Sequence, residues 1–152
     1  VNGNILKELI VSSKINKKSF LEFIKDTKRL VSINKKFLNL DAIDGEYLES
    51  EGVIYSTILR LRGLFIIKCI LADKRYSKGD FKEWIMGNLE GFDEEYYGRV
   101  YSVYKNIKLD KKVSIRKQFK LDKMFIMINF LEKEIKGYGK SKKEAAKGNR
   151  FS

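Results

Sequence analysis

Not one of the 152 residues is a proline. Proline removes a backbone donor and clashes with the preceding turn, so a chain without it can build long, unbroken helices. Apolar residues here recur mostly at helical spacing. Phe20, Ile24, Thr27 and Val31 form one stripe, with Phe23 and Leu30 beside it. The expected fold is all-α: a bundle of five or six helices forming one domain over residues 1–137, then a mobile basic tail over 138–152.

Local signals set the expected boundaries. Ile5, Leu6, Leu9 and Ile10 suggest a short first helix, and Ser19 with Glu22 reads as a capping box for the next. Asp41 to Gly45 looks like a turn leading into the longest helix, about Glu46 to Ala72. Ser77 and Asp80 form a second box, opening a helix through Trp84 to Leu89 that Gly91 ends. Asp93 caps Glu94 to Ile107, and Ser114 caps a last helix to Lys136 with Gly137 as its stop. Between residues 99 and 121 a hairpin competes, because Tyr101, Val103 and Ile107 alternate, as do Val113, Ile115, Phe119 and Leu121. Helices are preferred, since the apolar run from Met124 to Leu131 is too long for a strand.

The net charge of +12 favours an anionic partner, although a lysine-rich coding bias produces the same excess. Charge is also sorted along the chain. Lys14 to Lys36 and Lys105 to Lys123 are strongly basic, while Asp41 to Glu51 and Asp80 to Glu95 are acidic. These segments could pair within the fold or leave a basic groove open. A single cysteine, Cys69, rules out a disulfide within the chain and fits a buried, inert thiol in a reducing cytoplasm. No signal peptide is evident, and the apolar stretch near Leu64–Leu71 is too short to span a bilayer, so no membrane is expected.

Histidine is absent, which removes the usual general base, imidazole metal ligands and the histidine-based triads. One cysteine builds no structural zinc site, and no phosphate-cradling glycine motif occurs. The carboxylates Asp93, Glu94 and Glu95 fall at a helix start, where the dipole favours acids without any metal. No catalytic residue, metal or cofactor is therefore assigned.

Binding residues remain. Arg60 and Arg62 stand in an apolar run, where a cation needs a carboxylate, a hydrogen-bond network or a ligand. At about 100° per residue, Arg62 lies inside the apolar arc, between Tyr55 and Cys69, while Arg60 lies on the more polar side with Ser56 and Gly63. They cannot clamp one ligand. Arg62 is the anomaly, met either by an acid from Asp41–Glu51 or Glu94/Glu95, or by a phosphate or carboxylate at a cleft edge. Tyr97, Tyr101 and Tyr104 recur at helical spacing, serving either packing or base stacking. Tyr76 and Trp84 read as packing residues. The candidate anion-binding set is Arg62, Arg60, Tyr55, Tyr97, Tyr101, Tyr104, Lys105, Lys111, Lys112 and Arg116.

Tyr55-Ser56-x-x-Leu59-Arg60-Leu61-Arg62-x-Leu64-Phe65-Ile66-Ile67-x-Cys69-Ile70-Leu71, then Tyr76-Ser77 and Phe81, resembles the helical, HEPN-like C-terminal domain of archaeal-type two-domain nucleotidyltransferases of the polymerase-β superfamily. The segment Tyr97-x-x-x-Tyr101-x-x-Tyr104-Lys105 and the final amphipathic helix are similar in layout, so the resemblance covers about two-thirds of the chain. The Arg-x4-His motif of catalytic HEPN ribonucleases is missing, as are the Gly-Ser motif and metal-binding aspartates of the transferase core. The resemblance implies a non-catalytic accessory domain that binds an anionic substrate or nucleic acid, or mediates dimerisation. Its expected partners are a nucleotide or nucleic acid, an N-terminal nucleotidyltransferase domain, or a second copy. The alternatives are a free-standing RNA- or DNA-binding module, such as a small ribonucleoprotein subunit, and a purely structural dimerisation domain.

Overall fold

A computed structural model describes residues 16–151, with side chains described for 16–138. It contains five helices among these residues and no strand: α1 Lys17–Asp44, α2 Glu51–Leu71, α3 Lys78–Asn88, α4 Glu94–Lys108 and α5 Leu121–Phe151. The all-α bundle expected from the sequence is what forms. The suggested helix around Ile5–Ile10 lies outside the described residues.

Helix α2 is the hub, packing against α1, α4 and α5, while α1 also packs along α5 and α3 leans on α4. Its apolar residues run around most of its circumference, so it is buried from several sides at once. Ile54, Ile58, Leu61 and Leu64 of α2 are fully buried, as are Met124, Met127, Ile128 and Leu131 of α5. Each such side chain contributes about 1.5–3 kcal/mol on leaving water.

Two caps expected from sequence are present. The Ser77 side chain accepts from the Asp80 N–H at 3.1 Å, and that of Asp93 accepts from the Tyr96 N–H at 2.8 Å. Gly91, with φ 81°, closes the region after α3 in the left-handed conformation that glycine adopts at little cost.

Several boundary expectations are corrected. Helix α1 begins at Lys17, capped by Asn16 accepting from the Lys18 N–H, not at the Ser19 box. It continues through Asp41–Asp44, so that stretch ends one helix rather than starting the next, and α2 begins at Glu51 instead of Glu46. Asp41 still acts at the N-terminus of α2, from a distance. Its buried carboxylate accepts from the Glu49 and Ser50 N–H groups, both at 2.9 Å, and from the Ser50 hydroxyl.

The segment 109–120 is neither helix nor hairpin, and α5 starts at Leu121 rather than near Ser114. Asp110 and Lys117 take left-handed φ of 57° and 54°, which interrupts any regular element. Ile115 and Phe119 are buried and pin this loop to the core. A short backbone pairing joins it to the α1–α2 connection: Leu48 N–H donates to the Phe119 carbonyl at 2.7 Å and Leu121 N–H to that of Glu46 at 2.8 Å. Finally, Gly137 does not stop α5, whose helical backbone runs on to Phe151. Each glycine costs a helix only about 1 kcal/mol, and Ala145 and Ala146 beyond Gly137 are the best helix formers.

Candidate anion-binding site

The two arginines diverge as the helical wheel predicts. Arg60 turns toward α1 and lies over the Phe23 ring, its guanidinium carbon 5.4 Å from the ring centre. Arg62 turns the opposite way. It is half-buried, and its Nε donates to the Tyr76 hydroxyl at 3.2 Å while the guanidinium lies 5.2 Å from the Tyr76 ring centre. That hydrogen bond raises the Arg62 pKa above its ordinary value, against the opposing effect of burial; the oxygens of Tyr76, Tyr104 and Tyr101 add to the rise.

The salt bridge expected for Arg62 does not form. Among the described residues the ion pairs are Lys35–Glu132, Lys68–Glu134, Lys82–Glu94 and Lys136–Glu132. The candidate acids are engaged or distant: Glu94 meets Lys82, and Asp41 binds the start of α2. From Glu51 to Arg62 is about 16 Å along the helix, beyond a side chain's reach.

Tyrosines surround Arg62 instead. Tyr55 of α2 stacks on Tyr104 of α4, with centres 5.5 Å apart and planes 22° from parallel. Tyr101 stacks on Tyr97 at 5.7 Å and touches Tyr104 at 5.5 Å. Helical spacing on α4 aligns these rings, and Tyr76 arrives from the α2–α3 connection. Tyr97 and Tyr104 are buried, Tyr55, Tyr76 and Tyr101 half-buried. Burial pushes the Tyr97 and Tyr101 phenols up from their usual range. The Tyr104 hydroxyl is buried and has no hydrogen-bond partner.

Arg62, Tyr55, Tyr97, Tyr101 and Tyr104 from the sequence-based set thus belong to one cluster. Arg60 does not, and Lys105, Lys111, Lys112 and Arg116 are exposed, Lys105 next to Tyr104 on α4. Lys112 and Arg116 line two grooves that adjoin at Val113 and Ser114, one with Glu94, Glu95 and Arg99, the other with Glu46, Glu49 and Lys117. Each groove mixes both signs of charge, so neither is the open basic groove that the sequence allowed.

Two sets of residues escaped the sequence reading. Tyr76 was assigned to packing, yet it is the direct partner of Arg62. On α1, Lys18, Lys25, Arg29 and Lys36 are all exposed and belong to none of the ion pairs above. Their spacing of 7, 4 and 7 places them in one row along the helix. That periodicity is present in the sequence itself.

Cys69 is buried, and burial pushes its thiol up, as expected for an inert core cysteine. Among the described residues no cluster of acids and cysteine could hold a metal ion, and no helix is long and apolar enough to cross a membrane. No known family model, curated protein or solved structure matches the chain.

Proposed function

We propose that this chain is a non-catalytic accessory domain that binds an anionic substrate or nucleic acid, of the kind that accompanies polymerase-β-type nucleotidyltransferases. The observation that carries the binding part of this reading is the row Lys18, Lys25, Arg29 and Lys36. It gives α1 a net positive strip about 27 Å long, in which Glu22, between Lys18 and Lys25, is the acid and none of the four bases is ion-paired. Successive phosphates of a strand or duplex match such a strip, and each contact releases counterions on binding. The resemblance of the Tyr55–Phe81 run supports the accessory assignment.

Fluorescence anisotropy with single- and double-stranded oligonucleotides tests it. Affinity is expected to fall linearly with salt on logarithmic axes, and replacing the four bases by Gln is expected to flatten that slope by about three to four units. Salt-independent or absent binding at low ionic strength overturns the reading.

A second reading, dimerisation, has its own observation. Beside the basic row, Ile33, Phe37, Leu40 and Ile43 are 43%, 45%, 58% and 78% exposed. A contiguous apolar strip of this kind marks an interaction surface. Sedimentation over a concentration series decides this reading, and a strict monomer ends it.

A further inference from the structure

The surroundings of Arg62 hold donors without an acceptor. A guanidinium carries five N–H groups, and only Nε is accounted for, by Tyr76. The Tyr76 oxygen accepts that bond, so its own O–H proton remains to be donated elsewhere. The Tyr104 ring is 1% exposed and its hydroxyl is unpaired. Leaving such a group unmet costs about 1–3 kcal/mol, and native structures keep few of them. Tyr104 stacks on Tyr55, which stands two turns before Arg62 on the same side of α2, and touches Tyr101; the oxygens of Tyr104 and Tyr101 also act electrostatically on Arg62.

We propose that Arg62, Tyr76 and Tyr104 form a site for a phosphate monoester dianion: the terminal phosphate of a nucleotide or of a nucleic-acid strand. A carboxylate offers two oxygens, which the guanidinium fork alone would take, leaving the tyrosine hydroxyls unmet. A phosphate monoester presents three terminal oxygens in a tetrahedral array, enough for the fork and the hydroxyls together. An internal phosphodiester has only two free oxygens and a single charge, and its strand must continue in both directions. The rings of Tyr55 and Tyr101, packed on Tyr104, favour a chain end over a strand passing through. The site also lies across α2 from the basic row, because Arg60, on the other side of the helix, is the arginine that meets α1. This inference shares with the proposed function only the premise that the chain binds anions.

The test is calorimetric titration at fixed ionic strength with inorganic phosphate, AMP and adenosine, and with one oligonucleotide carrying either a 5′-phosphate or a 5′-hydroxyl. Phosphate and AMP are expected to bind and adenosine not to. Preference for AMP over phosphate identifies a nucleotide as the source; preference for the 5′-phosphorylated strand identifies a strand end. Arg62→Lys keeps the charge but loses the fork and is expected to weaken phosphate binding at least tenfold. Tyr104→Phe removes only the unpaired oxygen, so its melting temperature without ligand should be unchanged or higher while affinity falls several-fold. No phosphate binding at millimolar concentration, or wild-type affinity in Tyr104→Phe, overturns the site. If oligonucleotides still bind with a salt slope carried by the α1 row, this site fails and the proposed function stands. If phosphate binds while oligonucleotides do not, this site stands and the nucleic-acid role of the α1 row fails.

Discussion

Against α1, helix α2 presents Ser56, Thr57 and Gly63; against α4, it presents Tyr55 and Arg62. The α1 side is held by directional polar contacts. The buried amide of Asn34 donates to both the Ser56 and Thr57 hydroxyls, at 2.9 and 3.0 Å, and Asp41 fixes the start of α2. Gly63 lets the Phe23 ring come close enough that an added Cβ would stand 3.1 Å from it. The opposite side, toward α3 and α4, is held by ring area: Tyr55 on Tyr104 of α4, and Phe65 on Phe81 and Trp84 of α3. Hydrogen bonds are lost when helices slide by one residue, so the polar side sets the register of the bundle. Stacked rings supply stabilising area yet leave hydroxyls over, and those surplus groups are where a ligand site can arise.

Breaking the aromatic side has the largest expected effect. Tyr104→Ala should cost about 3–5 kcal/mol, because it removes a fully buried ring and leaves a cavity. Urea unfolding measures this; a loss below about 1 kcal/mol would mean that the rings are not the main support of this side. Breaking the polar side should cost less. Asp41→Ala leaves the Glu49 and Ser50 donors without their acceptor, for about 2 kcal/mol by the same measurement, whereas a neutral result would show that water replaces the carboxylate.

Alkaline pH gives the gentlest separation of the two sides. Burial holds the Tyr96 phenol up at about 12, and pushes those of Tyr97 and Tyr101 up as well, while unfolded tyrosine ionises near pH 10. Because the folded state keeps protons that the unfolded state releases, this contribution is fully present below pH 10 and is lost as pH rises toward 12. Urea midpoints between pH 8 and 11.5 should therefore fall above pH 10, and fall less steeply in Tyr97→Phe. Equal slopes in the two proteins would remove Tyr97 from the account. The Asn34–Ser56–Thr57 contacts carry no titrating group and are expected to persist, as hydrogen exchange on α1 and α2 would report.

Several of these features were legible in the chain itself. The caps at Ser77 and Asp93 and the left-handed Gly91 each depend on residues within a few positions of one another. The divergence of Arg60 and Arg62 follows from helical pitch alone. The stretch after Lys108 was not legible. The alternation of Val113, Ile115, Phe119 and Leu121 suits a strand or a helix edge, yet only Ile115, Phe119 and Leu121 are buried. Their loop is shaped by a backbone pairing with residues 46–48, which lie more than seventy positions earlier in the chain.

By itself, the sequence determined that this protein is helical, where two of its helices are capped, and that Arg62 stands where a cation needs company. These follow from pitch, capping and the absence of proline, which act within a turn or two. Only the tertiary structure decided which company Arg62 keeps. The partner is Tyr76, fourteen positions along the chain, rather than an acid, because the α2–α3 connection and α4 bring tyrosines to that side of α2 while Asp41 and Glu94 are engaged elsewhere. The same packing left α1's basic row exposed and buried the hydroxyls of Tyr96 and Tyr104 with nothing to bind. Contacts of this kind depend on which helices become neighbours, and that is settled by the burial of the whole apolar surface rather than by any short stretch of it.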